Sequence, residues 1–289
     1  MDRSSVYCRE DHMGLRINTN VTSLAAQRTL SANNTEQAST LGKLSSGTRI
    51  VRAADDAAGL AISEKLKAQI RGVNQAERNA NDGISLIQTA EGGLNEVSNI
   101  LVRLRELSVQ SASDTVGDEE RKFTDLEFQN LKQEIERISS STEFNGKKLL
   151  NGMGDKFDFQ VGINNDDFQD RIKYDAARTN AGMSALGIEE LTVGSKDGSQ
   201  SSLATIDSAL QNVSGQRAEL GAIQNRLTST INNLQVSSEN LSAANSRIRD
   251  TDFAMESAKN TKLNILTNAG TSVLSQANSQ GQAALKLLG

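Results

Sequence analysis

The chain has 289 residues, 36% apolar and 3% aromatic, with no proline and no tryptophan. Average usage would give roughly 14 prolines, and a compact core of this size normally uses more aromatic volume. The composition therefore predicts long thin helices that bury one narrow stripe. The formal charge is −5 with acids and bases interspersed. That excludes a basic stripe for nucleic acid. No stretch is long and apolar enough to span a bilayer, so no membrane insertion is expected.

The only cysteine, Cys8, rules out an intramolecular disulfide. Cys8, the only histidine (His12) and one of the two tyrosines (Tyr7) all precede Met13. Residues 1–12 read either as an ordinary tail or as an upstream extension with Met13 as the start, and composition favours the extension. No charged-then-apolar run marks a Sec-type signal.

Ile17, Val21 and Leu24 open a weak apolar stripe. The segment SSGTRIVRAADDAA at residues 45–58 carries Gly47, Arg49, Arg52, Asp55 and Asp56. One reading is a solvated turn in which Asp55 or Asp56 caps the next helix. A long helix is expected from before Ala61 to near Ser113, because Leu86, Ala90, Leu94, Val97, Leu101 and Leu104 repeat in steps of four and three. Gly92 and Gly93 lie inside it and cost about 1 kcal/mol each against alanine; they permit either close helix approach or a bend. The turn DTVGD at 114–118 leads to a third helix, with Asp118 as N-cap and Glu119 and Glu120 at its positive end. Phe128, Leu131, Ile135 and Ile138 mark its buried face.

Residues 144–200 differ in character, holding eight of the 22 glycines and four of the seven phenylalanines. Phe157, Phe159 and Val161 alternate, residues 164–167 supply turn chemistry, and Ile172 and Tyr174 alternate again, which predicts a β-hairpin. GSKDGSQSS at 194–202 reads as a polar loop. Beyond it lies the sharpest periodicity in the chain. Ile206, Leu210, Val213, Arg217, Leu220, Gln224, Leu227, Ile231, Leu234, Ser238 and Leu241 step by four and three, a heptad seam. One helix over 203–241 would run roughly 58 Å. Arg217 and Gln224 are either tolerated polar positions or selectors of register. Leu263, Leu266, Gly270, Val273, Ala277, Gln280, Ala284 and Leu287 form a last thin stripe. Neither terminal helix should be stable alone, so the ends are expected to order only when paired with each other and with neighbouring chains.

Several blocks resemble the bacterial flagellins. They are GLRINTN at 14–20, LSSGTRIVRAADDAAGLAIS at 44–63, the run at 77–110 from ERNANDG to RELSVQ, ANSRIRD at 244–250 and AGTSVLSQAN at 269–278. The resemblance implies a mainly α fold. Long antiparallel coiled-coil helices from both chain ends would form an elongated rod, with one small β-hairpin region at about 151–200. It implies a terminal filament core domain from 13–57 with 249–289, a helical rod domain over 58–248, and no large outer domains. The chain departs from the family at Gly281, where proline is common, and at Gly289, where a basic residue is often found.

The implied function is a structural subunit that polymerises into the extracellular flagellar filament for swimming motility, exported by the flagellar type III apparatus without a Sec signal. Implied partners are further copies of the chain, the flagellin export chaperone at the C-terminal helices, the filament cap protein and the hook–filament junction proteins. Ile17, Val21, Leu24, Leu263, Leu266, Val273, Ala277 and Leu287 are the expected packing residues of the terminal helices. Arg49, Arg52, Asp55 and Asp56 become an inter-subunit linker. Arg103, Leu107 and Glu127, by the RLREL and FNG blocks, correspond to positions recognised by the vertebrate flagellin-sensing Toll-like receptor; assembly contacts alone are the other reading.

A competing function is a binding protein, either a hook–filament junction component or an adhesin with flagellin-like ends. Junction proteins diverge in the rod region, and the match at 77–110 argues against them. Catalysis has little to use. Beyond Met13 there is no histidine or cysteine, which removes His-based dyads, thiol chemistry and His or Cys metal sites, and no phosphate-binding glycine pattern or HExxH motif is present. Asp55–Asp56 and Asp166–Asp167 are adjacent acids of the cap or turn kind. No enzyme activity, cofactor or metal is expected.

Overall fold

A computed structural model describes residues 19–286, with side chains through 279. The reading of residues 1–12, and the packing roles of Ile17 and Leu287, lie outside the described residues. The elements run α1 (Val21–Ser46), α2 (Ala57–Ser111), α3 (Asp118–Ser141), β1 (Glu143–Phe144), β2 (Lys147–Lys148), β3 (Lys156–Gln160), β4 (Arg171–Asp175), α4 (Met183–Leu186), α5 (Lys196–Arg249) and α6 (Phe253–Lys286). A 3₁₀ turn, Ala176–Arg178, follows β4. The mainly α fold with small antiparallel β elements is the one expected. The chain divides into two units, one running up to Lys65 and again from Ala244, the other Leu66–Ala243.

The second unit holds the main core. The predicted stripe of α2 is buried along its length, with Leu94, Val97, Leu101 and Leu104 fully so. The same cluster takes Phe128 and Ile135 from α3 and Ile206, Val213, Leu220 and Leu227 from α5. The heptad reading of α5 thus places its apolar members inward, as a 3.5-residue period requires. Arg217 is half-buried on that seam.

Gly93 and Gly92 have different roles. A Cβ on Gly93 would stand 2.6 Å from Leu150 Cδ1 and 2.8 Å from Thr142 Oγ1, whereas Gly92 faces open space. Leu150 is fully buried, so it has little room to yield. Gly93→Ala is expected to lose about 1 kcal/mol net, overpacking outweighing the gain in helix propensity. Gly92→Ala should gain up to about 1 kcal/mol. Urea midpoints of the two variants, moving in opposite directions, check this.

Two expectations are corrected. Asp118 is not the N-cap of α3: Gly117 holds that place with extended backbone (φ −75°, ψ 166°). Asp118 is already helical and its carboxylate lies 2.8 Å from Arg121 Nη1. Arg121 is itself buried and donates to Ser111 O and Ser113 O at 3.0 Å each, capping the carbonyl end of α2. A cation at a helix C-terminus meets both the orphan carbonyls and the negative end of the dipole. The second correction concerns 194–202. It is not a loop from 196 onward but the first turns of α5. Ser195 accepts from Gly198 N, and Ser199 Oγ donates to Val193 O and Ser195 O, so serines that read as loop chemistry serve as cap and buried turn.

The expected hairpin is β3–β4, antiparallel, with Phe157 opposite Tyr174 and Phe159 opposite Ile172. The Phe157 and Tyr174 rings stack at 6.0 Å between centroids. Asp166 Oδ1 accepts from Phe168 N and Gln169 N, fixing the turn. A second, shorter hairpin, β1–β2, lies before the expected 151–200 region, so the described residues hold two hairpins where one is expected. Asn145 (φ 51°) and Gly146 (φ 75°) are its two turn residues, the Asn-Gly signature of a two-residue hairpin loop.

In the other unit, α1 and α6 pack against one another. Their seam is thin and partly polar. Leu263 and Ala277 are buried beside Ser23 and Thr40, and Gly270 lies against Leu30. Asn20 Nδ2 donates to Ala277 O at 2.8 Å and Ser23 Oγ to Asn278 Oδ1 at 2.8 Å. Gln37 bonds Asn264 and Lys259 pairs with Glu36. That bond holds the Glu36 carboxyl below the usual range and lifts the Lys259 ammonium above its own.

Candidate assembly surfaces

The segment between α1 and α2 is built on backbone and carboxylate bonds. Gly47 ends α1 in the left-handed region. The chain then runs beside 248–251: Arg49 N donates to Arg249 O at 2.6 Å, Thr251 N to Gly47 O at 3.1 Å, and Thr48 bridges Asp250. The Arg49 guanidinium donates to Ile248 O at 2.7 Å through Nη2, and stands 3.9 Å from Asp56. Asp56 is the helix cap, its Oδ1 accepting from Gly59 N at 2.8 Å. Asp55 instead closes the preceding turn, accepting from Val51 N at 3.0 Å and Arg52 N at 2.9 Å. The Arg52 side chain is exposed.

The amide bonds from Arg52 and Val51 hold the Asp55 carboxyl below the usual carboxylate range. A lowered folded pKa contributes stability above the unfolded value of about 3.9, and the contribution is lost as pH falls through the folded value. The Val51 and Arg52 amide resonances should shift together as acid is added, with a midpoint below that of a free aspartate. Asp55→Asn should abolish that titration. A midpoint at the free value would sink the assignment.

The second set divides. Arg103 donates to Glu127 Oε1 through Nε at 3.0 Å and Nη2 at 2.8 Å, and to Glu106 at 3.0 Å. These carboxylates raise the Arg103 pKa further. Both Arg103 and Glu127 are exposed, bridging α2 to α3 across the surface. Leu107 is not a surface residue. It is 2% exposed and belongs to the main core, which corrects its reading as a contact or recognition residue. Four residues rotate a helix by about 40° beyond a full turn, enough to carry one side chain from rim to core. Sequence reasoning missed Phe123 and Leu126, 72% and 66% exposed on α3. Their only signal was falling off the Phe128–Ile135 stripe.

On the terminal helices, Leu263 and Ala277 face the intrachain seam, while Val21, Leu24, Leu266 and Val273 are exposed, as are Leu41 and Ile265. These six exposed apolar side chains, distributed over the two helices of one pair, are surface that a neighbouring molecule can cover. Among the described residues there is no group of three acidic, His or Cys side chains placed to hold a metal ion, and no helix long and apolar enough to cross a membrane.

Helices from both chain ends closed on each other, with apolar side chains turned outward, describe a helical structural protein. Residues 17–155 match the bacterial flagellin N-terminal helical region and 203–288 the bacterial flagellin C-terminal helical region. A flagellin of Halalkalibacterium halodurans is 48% identical over 274 residues, covering 94% of this chain and 99% of that protein. A flagellar filament 30.7 kDa core protein of Treponema maltophilum is 43% identical over 284 residues, covering 94% and 99%. The crystal structure of Bacillus cereus flagellin is 29% identical with a TM-score of 0.49, over 58% of this chain and 94% of that one. The chain belongs to the bacterial flagellin family.

Proposed function

We propose that this chain is a structural subunit that polymerises with its own copies into the flagellar filament, the extracellular appendage of swimming motility. The observation that carries the assembly mechanism is the imbalance of the α1–α6 pair, which buries Leu263 and Ala277 and exposes Val21, Leu24, Leu266 and Val273. Neighbouring copies cover that outer face. Each apolar contact contributes about 25 cal/mol per Å², and the gain accumulates because a heterologous contact repeats along an open helical polymer.

Arg49, Arg52, Asp55 and Asp56 form the linker between inner and outer layers of the polymer, and Arg52 is the member free to reach a neighbour. Arg103 and Glu127, without Leu107, offer the surface for a neighbouring subunit or for the vertebrate flagellin-sensing Toll-like receptor. The export chaperone holds the C-terminal helices before assembly. The cap protein and the hook–filament junction proteins meet the two filament ends. The chain leaves the cell through the flagellar type III export apparatus.

Electron microscopy of the purified chain, seeded with short filament fragments, tests the reading. Long filaments are expected. Persistent monomers with full helical circular dichroism would transfer the assignment to a junction or adhesin role.

A further inference from the structure

The sequence contains two Asn-Gly pairs, Asn145–Gly146 and Asn151–Gly152, and the fold treats them differently. Asn145 is the exposed first residue of the β1–β2 turn. Its carboxamide has no hydrogen-bond partner among the described residues, and a Cβ on Gly146 would meet nothing within 4 Å. The hairpin that carries it has only two residue pairs, too few for independent stability, so the turn opens locally at low cost.

Asn151 is half-buried and held on several sides. Its Oδ1 accepts from Met153 N at 3.0 Å, and its backbone bridges Asn180. The next backbone tie, Ala181 N to Leu150 O at 2.9 Å, anchors the same segment. The Asn180 side chain crowds Gly152 so closely that an added Cβ would lie 2.2 Å from Asn180 Nδ2.

We propose that Asn145 is a site of spontaneous deamidation in the folded protein, and that Asn151, with the same Asn-Gly sequence, is protected by the fold. The Gly146 amide nitrogen loses its proton and attacks Asn145 Cγ. The Cγ–Nδ2 bond breaks and the nitrogen leaves as ammonia, giving a five-membered succinimide. Water then adds to either ring carbonyl and opens the ring to aspartate or isoaspartate. The net reaction consumes one water and releases one ammonia, with no change of oxidation state. Glycine favours the step because no side chain hinders ring closure. Isoaspartate inserts a methylene into the backbone, which a two-residue turn cannot absorb while keeping Phe144 opposite Lys147.

Peptide mapping by mass spectrometry tests this on the full chain held at mildly alkaline pH. A gain of about 1 Da marks each conversion. The Asn145 peptide is expected to convert faster than the Asn151 peptide by on the order of ten-fold, because its turn opens at lower cost. In concentrated guanidinium the two rates should converge. Asn145→Gln, whose closure would need a slower six-membered ring, should remove the gain from its own peptide and leave the Asn151 rate unchanged. Equal native rates, a gap that persists in the unfolded chain, or a gain that survives the glutamine variant would each overturn the proposal.

Discussion

Phe128→Ala is expected to lower the stability of the chain by about 3–5 kcal/mol, the range for truncating a buried aromatic. Among the described residues Phe128 is the one fully buried phenylalanine, and it shares a cluster with Leu101, Leu104 and Leu107 from α2. The surrounding helices are long, each fixed by many other contacts, so they cannot collapse onto the cavity. Against a typical total of about 5–15 kcal/mol, the loss is large. Urea unfolding followed at 222 nm reads it as a lower midpoint with an unchanged slope. Phe128→Leu should lose less, under about 1.5 kcal/mol, because most of the volume stays filled. By contrast Phe123→Ala, on the exposed face of the same helix, should stay within about 0.5 kcal/mol. Equal losses at 123 and 128 would mean that the face of α3 has been assigned wrongly.

Deleting residues 261–289 is expected to abolish filaments in the seeded assay while leaving the unit Leu66–Ala243 folded. The deletion removes Leu263 and Ala277, the buried apolar side of the α1–α6 seam, and the acceptors of Asn20, Ser23 and Gln37. It also removes Leu266 and Val273 from the outer face. Helix α1 spans 26 residues with only Ser23 and Thr40 buried. Without its partner it has nothing within the chain to pack against, and helices of this kind are marginal in water. Circular dichroism should therefore lose α1 as well as the deleted part of α6, while the Phe128 core unfolds at its original urea midpoint. A truncated chain that still grows filaments of equal length would remove the terminal helices from the assembly mechanism.

The periodic elements were legible in the sequence because burial in a helix pair is itself periodic. Every residue of the stripe from Leu86 to Leu104 is buried on α2, the seam of α5 finds Ile206, Val213, Leu220, Leu227 and Ile231 but leaves out Ala209 and Ile223, and the alternation around Phe157 and Tyr174 gives β3–β4. Features that depend on a few atoms were not legible. Whether Asp118 or Gly117 caps α3 turns on one backbone angle, and whether Ser199 and Ser202 are loop or helix turns on Ser195 reaching the Gly198 amide. The Asn145–Gly146 hairpin did carry a signal, a pair of residues suited to two positive φ angles, but its strands are too short to show alternation.

What the sequence determined by itself is the class of protein: long helices from both chain ends, a small β insert, and the blocks shared with flagellins. Those properties are repeated along the chain, so no single contact has to be known to read them. Only the tertiary structure decided which side of each helix is used. Arg103 stays on the rim while Leu107 enters the core, although both sit on one nominal face. Leu263 and Ala277 close the intrachain seam while Val21, Leu24, Leu266 and Val273 remain outside. The physical reason is that a thin stripe of small and polar residues supports more than one helix register. The choice among registers rests on specific bonds across the pair, such as Asn20 to Ala277 and Lys259 to Glu36, which sequence spacing does not contain.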